Sequence, residues 1–183
     1  MNFTKYSQFG AYHWKMYEDK NTKYSRHADR VKEWIKETSV LDMGAGDGKI
    51  TSMLGAKGID NEPEAVRLAQ EKGVDVILGD AYNLPFKDEE FDAVFMGDVL
   101  EHLEFPQKAL QEARRVLKQF LYLAVPKKGM DNDKFHYQEW TPDELKKLVE
   151  NEGFVLEGDI LEVPKDKRDY EKFKKPLNLH KPE

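Results

Sequence analysis

The 183-residue sequence contains no cysteine. A disulfide framework, a thiolate metal site and a cysteine nucleophile are therefore all excluded. Long apolar runs are also missing: no stretch approaches the roughly 20 residues of a membrane-spanning helix, and residues 1–10 lack the apolar core of a signal peptide. A cytoplasmic protein with no membrane partner is expected. Nor is there an excess of positive charge, since 29 lysines and arginines face 35 aspartates and glutamates for a formal net charge of -6. With both signs spread along the chain, this is not the composition of a protein that coats nucleic acid or an acidic membrane surface. Internal repeats are absent, and the length suits one compact domain with a real core.

What the sequence does have is a regular alternation. Short apolar runs at 39–43, 58–60, 74–78, 91–96 and 120–125 are separated by stretches of helical character. Such alternation predicts an α/β fold, a doubly wound and mostly parallel sheet with helices on both faces. Ala28, Val31 and Ile35 recur at helical spacing, with Trp34 beside them, in a helix over 22–36. Pro63 opens a helix that closes at Gly73, and Pro106 opens another that carries Leu110, Ala113 and Leu117 on one side. Thr141, Pro142 and Glu144 form a capping box for a third, which ends at Gly153. Residues 1–20, aromatic but without clean periodicity, are expected to drape over the domain as a lid. The domain itself is expected over 21–163, with a last strand over 154–163 bent at Gly158, and residues 164–183, rich in lysine, read as a charged, solvated tail.

The stretch from Val40 to Gly48 reads as an apolar strand that runs into a loop with glycine at 44, 46 and 48. Glycine lets the backbone turn sharply there and lets a ligand approach where a Cβ would collide. The loop follows the first strand, the end at which open α/β sheets bind ligands. A dinucleotide fingerprint needs G-x-G-x-x-G, but Lys49 follows Gly48, so the third glycine comes one residue early. A phosphate-binding P-loop is excluded because no G-K-[ST] follows the glycines. Asp60 ends the second short strand, where a carboxylate can accept both hydroxyls of a ribose, and Asp80 ends the third, where it could accept from an adenine amino group. Either acid alone would more often be a solvated strand-end residue or a helix cap.

Together with 91–103 and 113–118, these segments resemble the class I S-adenosylmethionine-dependent methyltransferases, over about 39–153. The resemblance implies a Rossmann-like fold and S-adenosyl-L-methionine as cofactor. It places Asp42, Gly44, Ala45, Gly46 and Gly48 at the methionine end, Asp60 and Asn61 at the ribose, Asp80 and Ala81 at the adenine, and Asp98 near the methyl group. Three features depart from the family pattern. The stretch 49–57 is short, predicting a helix of a turn or two; Gln119 stands where Pro-Gly-Gly is usual; and the final strand pair is abbreviated.

The sequence offers Asp98, His102 and His136 as catalytic candidates, with Tyr137 as a further base. Each histidine also has a structural reading, as a cap or a loop brace, and His13 and Trp14 need do no more than cover a pocket. The leading expectation is methyl transfer to a small molecule without a metal. DNA is disfavoured, because no Asn-Pro-Pro-Tyr or Asp-Pro-Pro-Tyr follows the fourth strand and no cysteine is present for attack on cytosine. RNA stays open, since Asp98, Glu101, His102 and His136 loosely repeat the two acids and two histidines with which RNA 3′-terminal ribose methyltransferases hold a divalent metal. A non-catalytic S-adenosylmethionine sensor is a further alternative, and a dinucleotide oxidoreductase the weakest.

Overall fold

The computed structural model describes residues 5–18, 23–126, 128–129, 134–157 and 178–180. Its sheet has the strand order β3-β2-β1-β4-β5-β7-β6. The strands are β1 Val40–Met43, β2 Lys57–Asp60, β3 Val76–Leu78, β4 Phe91–Gly97, β5 Leu117–Ala124, β6 Val155–Glu157 and β7 Asn178–His180. β1 pairs in parallel with β2 and β4, β2 with β3, and β4 with β5, whereas β7 runs antiparallel between β5 and β6. From β1 the chain winds outward through β2 and β3, then returns to the other side of β1 for β4 and β5. The reversal leaves a crevice at the carboxyl ends of β1 and β4, the place where open α/β sheets bind their ligands.

Period-two alternation in the strands divides the core between the two faces. On one face Leu41, Met43, Val94, Met96 and Leu121 pack against Leu110 and Ala113 of α6 (Pro106–Val116) and against Leu145 and Val149 of α7 (Pro142–Asn151). On the other, Val40, Ala93, Phe95 and Tyr122 pack against Val31 and Ile35, at the end of α3 (Lys23–Trp34). The remaining helices are α1 (Lys5–Phe9), α2 (Tyr12–Glu18), α4 (Lys49–Leu54) and α5 (Pro63–Glu71). Proline opens α5, α6 and α7 at a position where its missing N–H costs nothing. The capping box of α7 is complete: Glu144 N donates to Thr141 Oγ1 at 3.3 Å, and Thr141 N donates to Glu144 Oε2 at 2.8 Å. No helix among the described residues is long and apolar enough to cross a membrane.

The three departures resolve as follows. α4 spans six residues, the turn or two expected, and ends at Gly55 in the left-handed conformation. Without Pro-Gly-Gly there is no connecting loop at all: α6 ends at Val116 and β5 begins at Leu117. The register then slips between Phe91↔Leu117 and Ala93↔Phe120, so a bulge absorbs the extra residue. The third expectation is corrected in part. Asn178–His180, inside the stretch read as a solvated tail, is a strand inserted between β5 and β6, and it completes the antiparallel pair. Composition hid it, because a short strand with one inward apolar side chain leaves little periodicity to read. The remainder of the expected tail, and 158–163 of the expected last strand, lie outside the described residues.

Leu179 carries that strand's packing, at 1% exposure in the main core. Leu179→Ala is expected to destabilise the protein by about 2–5 kcal/mol in urea titration. An unchanged midpoint would return this segment to the status of a tail.

Candidate active site

The loop after β1 is tied to β2 by two amides, Gly44 N and Ala45 N, which donate to Ile59 O at 2.8 and 3.0 Å. Gly44 and Gly46 hold φ of +84° and +56°, conformations that L side chains rarely adopt. Space excludes side chains as well: a Cβ on Gly44 would lie 2.3 Å from Val99 Cγ2, and one on Gly46 would lie 2.2 Å from Tyr6 Oη. Asp60, at the end of β2, accepts from Gly46 N at 2.7 Å through one oxygen and from Glu62 N at 2.8 Å through the other. Burial raises its pKa above the usual carboxylate value, against the pull of these amides. Asp42, on β1, is buried and accepts from Thr51 Oγ1 at 2.6 Å. Burial pushes its pKa up to about 7, a rise the Thr51 hydrogen bond opposes and the nearby Asp60 charge assists.

Over these groups opens a cavity of about 530 Å³. Its floor is the glycine loop and the ends of β1, β2 and β4. Its far wall is the 3₁₀ turn Leu100–His102 and the segment 135–137, which contribute Glu101, His102, Phe135, His136 and Tyr137. Its roof is α1 and α2, through Tyr6, Tyr12, His13, Met16 and Tyr17. Asp47, with no exposed surface, pins the roof: its carboxylate accepts from His13 N at 3.0 Å and faces His13 Nδ1 at 3.2 Å, and its carbonyl accepts from Trp14 Nε1 at 2.8 Å. Lys49 Nζ lies 4.6 Å from the centre of the Trp14 ring, a cation–π contact that joins α4 to α2.

Of the residues singled out in the sequence, Asp42, Gly44, Ala45, Gly46, Asp60, Asn61, Ala81 and Asp98 line this cavity, and so do His102 and His136. Two do not. Gly48 caps α4 with φ +76°, and a Cβ there would meet Ala69 Cβ at 2.9 Å, so its role is helix packing. Asp80 is exposed, and its Oδ1 accepts from Tyr82 N at 2.9 Å in a tight turn, while Gly79 and Ala81 on either side reach the cavity. Asp98 turns the chain at the end of β4 with φ +53°, a strained value that Asp tolerates better than most residues. Sequence reasoning missed Asp47 and His27. The signal for Asp47 was an acid between two loop glycines. That for His27 was its spacing of four from Val31, on the apolar stripe of α3. His27 lines the cavity, and burial lowers its pKa against the opposing charge of Asp98.

A sheet of this order, with a glycine loop and buried acids around a crevice at its carboxyl edge, has the architecture of a Rossmann-like α/β enzyme. Residues 41–124 match the family model described as Methyltransferase domain, and the sheet has the Rossmann-like fold of the class I S-adenosylmethionine-dependent methyltransferases. Protein MJ1123 of Methanocaldococcus jannaschii is 29% identical over 154 residues, which cover 83% of this chain and 74% of that protein. The demethylmenaquinone methyltransferase of Thermotoga maritima is 31% identical over 133 residues, 62% of this chain and 58% of the relative. Among solved structures, a methyltransferase of Thermotoga maritima described as a possible histamine N-methyltransferase superposes with a TM-score of 0.72 at 26% identity, over 82% of this chain and 79% of that one. The protein is a methyltransferase, and its cofactor is S-adenosylmethionine. The cavity fits that molecule: its size is that of a small-ligand site, and the buried carboxylates suit a ligand with a sulfonium and an ammonium.

The raised pKa of Asp42 has a stability consequence. The folded chain keeps a proton that the unfolded chain loses near pH 4, so stability falls as pH rises from about 4 to about 7, by up to a few kcal/mol, and is flat above. Asp42→Asn keeps an acceptor for Thr51 and removes this titration. Thermal unfolding at pH 5 and pH 8 is expected to show a smaller loss between the two for the variant than for the wild type.

Proposed function

We propose that the protein methylates a small molecule that enters the cavity under the α1–α2 roof. The observation that carries this reading is the pinning of the roof on Asp47, directly over the glycine loop. A cavity of about 530 Å³ lies within the range of about 300–1,000 Å³ that holds one drug-sized ligand. With a cofactor of that size in place, little more than a small acceptor, or one protruding group, fits beside it.

In this reading the methionine end of the cofactor lies on the glycine loop and Asp42, the ribose on Asp60, and the adenine near Gly79 and Ala81. Asp80 then supports the adenine side only through the turn it holds. The sulfonium is directed toward Asp98, His102 and His136. Positive charge on sulfur disperses as the methyl group moves, so holding donor and acceptor in line supplies much of the acceleration, up to about 7–11 kcal/mol in well-oriented systems. A base adds about 10²–10⁴-fold where the acceptor must lose a proton. His27, His102 and His136 line the part of the cavity in which such a base would stand.

Two outcomes are expected. Asp60→Ala weakens S-adenosylhomocysteine binding by about 10–100-fold in calorimetry, in line with the loss of one charge-assisted, well-buried hydrogen-bonding group. Incubation with methyl-labelled S-adenosylmethionine and fractionated cell extract places the label in the small-molecule fraction. Label confined to RNA or protein would overturn the reading.

A further inference from the structure

On the wall opposite the glycine loop, Glu101, His102 and His136 present ligand atoms that all lie within 4.8 Å of one another. Two chain segments bring them together. Tyr137 N donates to Glu101 O at 2.8 Å and Gln138 Nε2 to Leu103 O at 3.0 Å, so the segment before α7 is fastened along the 3₁₀ turn. The imidazoles are oriented by the same contacts. His102 Nδ1 faces Phe135 O at 3.1 Å, and His136 Nδ1 faces Glu139 Oε1 at 3.3 Å. Glu139 is itself held, accepting from Gly129 N at 2.7 Å.

Each Nδ1 thus has an oxygen acceptor beside it. A proton held there makes Nε2 the lone-pair nitrogen, which is the tautomer a metal requires and the outer-shell arrangement of metal-binding histidines. The rings stand 4.9 Å apart at 65°, edge to face. Glu101 is 1% exposed, so a cation placed against its carboxylate would be little screened by water. All three residues line the cavity. Among the described residues Asp98 is not part of this group.

We propose that Glu101, His102 and His136 bind a divalent transition metal that holds the methyl acceptor by oxygen. Two imidazoles and one carboxylate suit zinc, manganese, iron or cobalt, whereas magnesium and calcium favour all-oxygen sites. Small rotations bring such ligands to the roughly 2.0–2.2 Å of metal bonds. Three protein ligands leave positions open for the acceptor, and the metal lowers the pKa of a bound hydroxyl. That hydroxyl gives its proton to solvent. Its oxygen bonds to the methyl carbon as the carbon–sulfur bond breaks, the sulfonium becomes a neutral thioether, and the metal keeps its oxidation state. The acceptor class is a small hydroxyl compound with a second oxygen adjacent. This substrate class rests on the small-molecule reading above; the metal site does not.

The test uses the full chain, stripped with chelator and titrated with Co²⁺, read by visible absorption and calorimetry, with S-adenosylhomocysteine binding measured in parallel. One cobalt per chain, with d–d bands, is expected. Glu101→Gln, His102→Ala and His136→Ala should each weaken cobalt binding by about 100-fold or more, and Glu139→Gln by about 10–100-fold, while S-adenosylhomocysteine binding persists. Asp98→Asn should leave cobalt binding in place. S-adenosylhomocysteine binding without cobalt binding overturns the metal site and leaves the methyltransferase reading standing. Cobalt binding retained in a His102→Ala/His136→Ala double variant overturns it equally. Cobalt binding with label found only on non-hydroxyl products overturns the acceptor class alone.

Discussion

The hydrogen bond from Gly46 N to Asp60 Oδ2, 2.7 Å long, joins the loop after β1 to the end of β2, and the rest of the site is arranged around it. With φ of +56° and no side chain, Gly46 can bring its amide to the carboxylate and still leave room for Tyr6 Oη on its other side. The same short loop therefore meets the cofactor side of the sheet and the roof of the cavity. Asp47, next in sequence, carries the roof through both its carboxylate and its carbonyl. A side chain at Gly46 would thus disturb the sheet-side acid and the covering helix together.

Charge is distributed with the same economy. The buried acidic side chains among the described residues are Asp42, Asp47 and Glu101, and all three line the cavity. Buried carboxylates without a cation cost stability, and the raised pKa of Asp42 is the visible sign of that cost. A cationic cofactor offsets it, because a positive charge in a low-dielectric cavity interacts with such groups far more strongly than it would in water. Strain and buried charge concentrated at one crevice, with apolar packing elsewhere, is the usual division between a site and the scaffold that holds it.

Much of this was legible in the sequence because it is written in local chemistry. The five parallel strands are apolar runs, the prolines and the Thr141–Glu144 box mark helix starts, and the glycines at 44, 46 and 48 mark the loop. What stayed hidden depends on contacts between distant residues. β7 is recognised by its neighbours, Leu121 and Leu156, and not by its own pattern. Gly48 and Asp80 carry the same family spacing as their neighbours, yet one packs on Ala69 and the other closes its own turn. His27 stands four residues before Val31 on α3, a spacing that marks a helix face and not a cavity; the fold brings it to the cavity, within reach of the Asp98 charge.

The two walls of the cavity differ in how they are built, and this bears on how a small fold acquires its acceptor. The cofactor wall consists of strand ends and backbone amides, so its geometry follows from the sheet itself. The opposite wall is a 3₁₀ turn and an irregular segment before α7, joined by side-chain and backbone hydrogen bonds that no strand dictates. Substitutions in that segment can change the groups on this wall of the cavity without altering the pairing of β1 with β2. Loops carried on a rigid scaffold are where function varies. In the reading proposed above, acceptor choice rests on residues 98–103 and 134–140, which bring Glu101 and the two histidines together, and not on the fold as a whole.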